Sequence, residues 1–481
     1  MLHSDQENPQ LEYELVCMEA LVPEDHVLRH LKRHMDFSFI TDRVQEYYHP
    51  THGRPSIDPI RFFKMLLVGY LFGIRSERQL EQEIRVNIAY RWFLGLSFTD
   101  TVPHHSTISW NRHHRFKGTS VFQDLFDDVV RVAMSHGMVG GRLQYTDSTH
   151  MQANANNHKF QMKEQLKTPS AYLEELEAAV NEDRKAHGKP ALPPQKPKAI
   201  HEMNKVSTTD PDSGYMTRKG KPEGFFYLEH RTMDAKYGII TDSFVTAGNV
   251  NDSTVYIDRL DRQCQTFGWS GTIEGVVLDS GYFGNYICKS LEERTIKAAI
   301  ASRRIPVLPG MFAKTDFTYE ADLQAYRCPA GELLPYTTTS RDGDQIYTSK
   351  ASVCQNCALL DQCTSTQRKQ RTVSRHIWEH FKERVMAYTR SEMGRQIYAK
   401  RKETIERSFA ESKELYGLRR CRLRTREGVQ EQALMTSMAQ NLKRIVRVLA
   451  KREDSLGSLG MQQIQTFFWR VFLTLIPLHP Q

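Results

Sequence analysis

The chain has 481 residues, 40% of them hydrophobic and 25% charged, which is the balance of a folded chain with a sizeable core and excludes an intrinsically disordered one. Its 65 basic residues outnumber its 57 acidic ones, for a formal net charge of +8 that favours a polyanionic partner. The apolar runs at 60–72 and 467–478 are short and interrupted by Arg61, Lys64 and Arg470, and the first residues have no basic-then-apolar pattern. Neither a membrane span nor a secretory signal is therefore expected, and a cytoplasmic chain with reduced thiols is. At this length two or three domains are expected.

Residues 1–140 read as helices. Ser56-Ile57-Asp58-Pro59 has the form of a helix start, and the run after it is apolar on most faces. Ser76-Glu77-Arg78-Gln79 fits a capping box and opens a second helix, expected to run to about Leu94. His104-His105-Ser106-Thr107 opens a third, which carries Arg112 and Arg115. Consecutive helices ending in a basic one fit a helix-turn-helix that contacts DNA, and equally a helical domain that only packs. The histidines 104, 105, 113 and 114 are expected to be a surface cluster, because no cysteine or carboxylate spacing accompanies them.

Arg142 to Thr149 reads as a strand ending at Asp147, and Gly275 to Leu278 as a buried strand followed by Asp279, Ser280 and Gly281. Between them, an irregular insertion at about 150–222 contains one amphipathic helix, from Tyr172, and a Pro/Lys linker at 189–198. Two further strands follow, at 225–234 and 238–246, and another at 296–301 completes the set. Either aspartate alone is ordinary turn chemistry. With a glutamate from the helix-like run at 398–413, two strand-end aspartates suit a two-metal phosphoryl-transfer site, since two Mg²⁺ ions about 3.5–4 Å apart need carboxylates from different elements.

Eight cysteines are present. Cys328, Cys354, Cys357 and Cys363 fall in one stretch around a Cys-x2-Cys pair, a pattern that favours a structural Zn²⁺, although the outer spacings are irregular. From Lys413 to Arg452 eleven basic residues stand against three acidic ones. Arg419, Arg420, Arg422, Arg424 and Arg426 repel one another unless phosphates neutralise them, so DNA contact is expected there. Gln430 to Leu449 reads as an amphipathic helix closing the sheet, and 453–481 as an apolar tail.

The order and spacing of several motifs resemble those of bacterial insertion-sequence transposases of the Asp-Asp-Glu (DDE) class, the branch with an N-terminal helical domain and a cysteine-rich insertion. The motifs are Thr146-Asp147-Ser148-Thr149 with Ala153-Asn154-Ala155-Asn156, Asn249-Val250-Asn251-Asp252, and Leu278-Asp279-Ser280-Gly281-Tyr282-Phe283. After them come Glu406 and Lys413 with six residues between, Gly417-Leu418-Arg419-Arg420, and Asn441-Leu442-Lys443-Arg444. The resemblance spans about residues 15–447. It implies an α/β fold with a ribonuclease-H-like core and mixed central sheet, preceded by an all-α N-terminal domain. Asp147, Asp279 and Glu406 would hold two Mg²⁺ or Mn²⁺ ions, with Arg401 and Lys413 on DNA. The implied activity is cleavage at the ends of the mobile element and strand transfer into target DNA, by a homodimer in a synaptic complex on double-stranded DNA. One departure stands out. Four residues separate Arg401 from Glu406 where such transposases often have three, which leaves Glu403 and Glu411 as alternatives for the third carboxylate.

The expected organisation is a helical DNA-binding domain at 1–140, the first part of the core at 141–304, the cysteine-rich insertion at 305–377, and core completion at 378–452. The rival reading is a DNA-binding protein without chemistry, a relic or a repressor of transposition.

Overall fold

The computed structural model describes residues 15–49, 56–167, 172–193, 200–217, 220, 222–302 and 308–474, except the side chains of 165–167, 200–202 and 454–474. The chain divides into two compact units. One comprises Met1–Val139, Ile239–Phe244 and Phe409–Gln481, and the other Gly140–Gly238 and Val245–Ser408.

In the first unit the described N-terminal elements are helices. Asp58 caps Pro59–Leu71 by accepting from the Arg61 amide, with Pro59 at the first turn. Ser76 caps Glu77–Val86 through the Gln79 amide at 3.3 Å. That helix stops at Val86, short of the expected Leu94. Asn87 breaks it, and its side chain accepts the Tyr90 amide to start a separate helix, Ile88–Leu94. The C-terminal helix runs from Arg426 to Thr474, far beyond the 430–449 expected. Its buried stripe, including Ala433, Leu434, Met438, Leu442 and Ile445, packs mainly on Val27–His34, Pro59–Leu71 and Val121–Ser135. It also meets the strand Ile240–Ala247, where Asn441 exchanges two 2.8 Å hydrogen bonds with the backbone of Ile240 and Gln430 donates to the Ser243 carbonyl at 2.8 Å. The tail at 475–481 and the linker at 194–199 lie outside the described residues.

The second unit carries most of the strands, while residues 240–244 of the sixth belong to the first. In chain order they are β1 (Leu143–Gln152), β2 (Phe160–Lys167), β3 (Ile200–Ser207), β4 (Gly214–Met216), β5 (Gly224–Asp234), β6 (Ile240–Ala247), β7 (Gly275–Leu278) and β8 (Lys297–Ile300). The central sheet has the order β4-β5-β1-β7-β8, with β6 on β5. β1 is antiparallel to β5 and parallel to β7, and β7 is parallel to β8, so the sheet is mixed. Every residue of β5 and β7 is buried, as strands covered on both faces require. The mixed central sheet agrees with the α/β fold expected. The insertion after β1 is more regular than its composition implied. β2 and β3 pair as a two-stranded antiparallel sheet, and the helix Tyr172–Ala186 between them in the chain buries Leu176, Val180 and Arg184.

The cysteine-rich stretch builds a second sheet from β9 (Thr318–Glu320), β10 (Ala325–Arg327), β11 (Leu333–Thr339), β12 (Asp344–Thr348) and β13 (Thr372–His376). Phe317, Tyr326, Leu334, Tyr347 and Val373 form its core. Helices Glu379–Arg390 and Glu392–Ala399 then lead back to the central sheet, where the first packs on β8.

Candidate active site

Strand register brings the two aspartates together. Thr146 pairs with Leu278 across the parallel β1–β7 ladder, so Asp147 and Asp279 are the next residues on neighbouring strands although far apart in the chain. Asp147 is not at the end of its strand, as its sequence context implied. β1 continues to Gln152, pairing with β5 alone, because β7 stops at Leu278. That early stop leaves the flank of Asp147 open.

Arg401 lies between the two carboxylates. Its Nη2 donates to Asp147 Oδ2 at 2.6 Å, and its Nη1 reaches Asp279 Oδ1 at 3.5 Å and the Tyr398 hydroxyl at 3.0 Å. The other oxygen of Asp147 accepts the Ser148 amide at 2.8 Å. Burial pushes the Asp147 carboxyl up to about 6, against the lowering effect of Arg401, and the charges of Asp279 and Asp252 add to the rise. Two carboxylates held around one cation at the end of a buried strand form an all-oxygen donor set of the kind that hard divalent cations take.

The segment carrying Glu406 makes up for its extra residue. Lys402–Glu406 forms a single π-turn, closed by the Glu406 amide donating to the Arg401 carbonyl at 3.1 Å. An i to i+5 bond takes up one more residue than an α-turn. Glu406 therefore comes round to about where the fourth residue after Arg401 would stand in an α-helix. The turn packs against β1 and β5, with Ile405 fully buried and the side chains of Glu403 and Glu406 exposed. Glu411 belongs to the other unit, where its carboxylate faces the Tyr416 hydroxyl at 3.5 Å and Arg444 at 4.0 Å.

Two more residues stand near the site: Arg231, which was not singled out from the sequence, and Asp252, which was noted only as part of a motif. Arg231 is directly opposite Asp147 on β5, is fully buried, and donates to Glu229 at 2.8 Å and to the Ser408 hydroxyl at 2.8 Å. It ties down the chain two residues past Glu406, while Arg401 holds the start of the same turn. An arginine inside a strand otherwise bound for the core was the available signal. Asp252 opens a short helical turn after Asn251, which caps it through the Ser253 amide, and its charge is felt at Asp147 and at the buried Tyr282. His230 is a packed residue, its Nε2 2.9 Å from the Thr246 hydroxyl, and Asp234 is a turn residue that accepts the amides of Gly140, Gly141 and Lys236.

The basic residues expected on DNA divide into two groups. Arg112 does not present its guanidinium to a ligand. Its side chain is 8% exposed and pairs with Glu431 at 2.7 Å and with Glu77. Arg422 is likewise engaged internally, donating to the carbonyls of Ile74 and Tyr416 at 3.0 and 3.1 Å over the ring of Tyr70. Arg115 stacks on Tyr48 and donates to Asn111. Arg419, Arg420, Arg424 and Arg426 are exposed, with Arg419 paired to Glu414, and Lys413 is half-buried. The histidine cluster does have a carboxylate. Glu81 accepts from the backbone and ring of His105, and with His104 they are the one set of three or more ligand atoms within 4.8 Å of one another among the described residues.

A transposase domain family (DUF772) matches residues 16–114, and a transposase DDE domain family matches residues 327–446. The chain belongs to the insertion-sequence transposases of the DDE class. It is a DNA transposase, and its class is that of polynucleotidyl transferases and endonucleases. The DDE match takes in the four clustered cysteines, Arg401, Glu406 and Lys413. No curated protein matches the transposase. Among solved structures, it is similar to a piggyBac transposase synaptic complex with hairpin DNA at 11% identity and a TM-score of 0.31, covering 88% of this chain and 79% of that one. A pre-cleavage Mos1 transpososome is similar at 8% identity and a TM-score of 0.16, covering 52% of this chain and 61% of that one. Both scores are too low to establish a common fold. No described helix of the transposase is long and apolar enough to cross a membrane.

Proposed function

We propose that this transposase cuts DNA at the ends of its own mobile element and joins them to target DNA, using Asp147, Asp279 and Glu406 as the ligands of two Mg²⁺ or Mn²⁺ ions. The observation that carries the reading is the convergence of Asp147 and Asp279 on one guanidinium, with that arginine opening the turn that bears Glu406. When bound, such ions lower the pKa of an attacking water or 3′-hydroxyl and stabilise the leaving oxygen. Arg401 neutralises the two aspartates while no ion is there, so it has to share or release them when one binds. Arg231 and Ser408 hold the far end of the turn and keep Glu406 in phase with Arg401. The exposed arginines 419, 420, 424 and 426 and the half-buried Lys413 supply the positive surface for double-stranded DNA, and two element ends call for a homodimer in a synaptic complex. The contacts of Glu411 with Tyr416 and Arg444, and the position of Glu403 only two residues after Arg401, favour Glu406 as the third ligand.

The test is cleavage of a plasmid carrying the element's borders, in Mg²⁺ or EDTA, by the wild type, Asp279→Asn and Glu406→Gln. Metal-dependent breaks with 3′-hydroxyl ends, lost in both variants while DNA binding survives, are expected. Cleavage retained by Asp279→Asn would sink the assignment. Cleavage retained by Glu406→Gln alone would move the third ligand to Glu403 or Glu411.

A further inference from the structure

We propose that Cys328, Cys354, Cys357 and Cys363 bind one zinc ion, separate from the catalytic metals, which ties together the open end of the β9–β13 sheet. The cysteines, irregularly spaced in sequence, come to one end of the sheet. The longest gap, from Cys328 to Cys354, is taken up by the hairpin of β11 and β12, which runs out and returns. Because β11 is antiparallel to both neighbours, the β10–β11 turn and the chain leaving β12 emerge at the same end of the sheet. All four cysteines consequently line one cavity of about 310 Å³.

Each thiol sits on a tight turn. Cys328 opens a turn closed by the Gly331 amide on its carbonyl at 2.8 Å. Cys354 ends the helix Ala351–Cys354, and the Cys357 amide bonds back to its carbonyl at 3.1 Å. Cys363 ends the helix Leu360–Cys363. All four are free thiols of intermediate burial, and Cys328 and Cys363 pack against the sheet's aromatic core. Arg371 donates to the Cys363 carbonyl at 2.8 Å and to the Phe312 carbonyl at 3.0 Å, which places a cation beside the net double negative charge of a zinc tetrathiolate. Four thiols on three turns fit the closed tetrahedral site of a structural zinc, and not an open catalytic one.

The sulfurs are not yet at ligand spacing. No three of them lie within 4.8 Å of one another among the described residues, whereas sulfurs around one zinc are roughly 3.8 Å apart given Zn–S bonds of about 2.3 Å. Binding would draw the turns inward, and each thiol would lose its proton to solvent as its sulfur takes the metal. β13 runs directly into the helices that lead to Arg401, so the ion would stiffen the base from which the catalytic turn is delivered.

The experiment is zinc content per folded chain, measured by elemental analysis on full-length protein after dialysis without chelator. One zinc per chain is expected in the wild type, in Asp279→Asn and in His105→Ala. Loss of that zinc is expected in Cys328→Ser and in Cys357→Ser. Zinc lost from Asp279→Asn or His105→Ala, but kept by the cysteine variants, would assign the ion elsewhere and overturn the proposal. So would its absence from the folded wild type. If the serine variants fail to fold, cobalt-substituted wild type decides. Thiolate-to-cobalt charge-transfer bands with the strong visible absorption of a tetrahedral site support four-sulfur ligation, and a weak octahedral spectrum without those bands refutes it.

Discussion

Two buried arginines of this transposase each bridge two carboxylates, and they do opposite things. Arg112 joins Glu77 to Glu431, whose side chains are 23% and 11% exposed. Arg401 joins Asp147 to Asp279, at 18% and 46%. The first bridge is closed. Its charges were removed from water on folding, and burial pushes the Glu431 carboxyl up despite the arginine beside it. The second is open on one side and uneven, with contacts of 2.6 and 3.5 Å. A second cation can reach Asp279 without unfolding anything. A guanidinium between acids is thus not in itself a sign of a site, and the two bridges differ in the exposure of the second acid.

The largest effect that sharpens this contrast is chemical. Asp147→Asn should abolish cleavage as Asp279→Asn does, and both variants should keep a melting temperature close to wild type, because each leaves Arg401 one carboxylate. A large loss of stability in either would make the Arg401 bridge a clamp like the other. Next is Arg112→Met, which strands two buried acids and should cost about 3–5 kcal/mol in denaturant unfolding. DNA affinity per folded molecule should be unchanged. A tenfold weaker complex at wild-type stability would return Arg112 to the DNA surface. Ser408→Ala removes one hydrogen bond from the fully buried Arg231 and should slow cleavage by about tenfold, through about 1–1.5 kcal/mol of lost positioning of the turn. An unchanged rate would mean that Arg401 alone fixes Glu406.

The smallest effect tests the burial of a histidine. Burial depresses His230 to about 3 from an ordinary 6.5. The unfolded chain therefore binds this proton more readily than the folded one, so the stabilising contribution is whole above about pH 6.5 and is lost as pH falls toward 3. His230→Gln should flatten that part of the stability curve, and an identical acid slope in both proteins would discount the shift.

Part of the candidate site was readable from the sequence. The apolar run before Asp279 and the strand before Asp147 follow from local pattern, as do the caps at Asp58 and Ser76, whereas the parallel pairing of the two strands came from the fold. Other features were not, for identifiable reasons. Asn87 looked like one residue inside a helix, because a side chain that caps and one that faces solvent look alike in sequence. The pairing of β2 with β3 joins segments on either side of the helix Tyr172–Ala186, and the apolar residues Phe160, Met162 and Met203 on them remain exposed, so no buried face marked them. The fates of Arg112 and Arg422 depended on partners 319 and 348 positions away.

Periodicity and capping act within about one turn of the chain, and the sequence by itself determined what depends on them: the strands around Asp147 and Asp279 and most helix starts. The resemblance to the DDE class came from the order and spacing of motifs. The tertiary structure decided which charges are spent inside the molecule and which remain for a ligand. It also decided, through the π-turn after Arg401, that one surplus residue need not carry Glu406 to the wrong face. Both outcomes depend on where distant segments pack. Desolvation makes an unpaired buried charge so costly that each arginine's role is settled by the acids the fold brings to it.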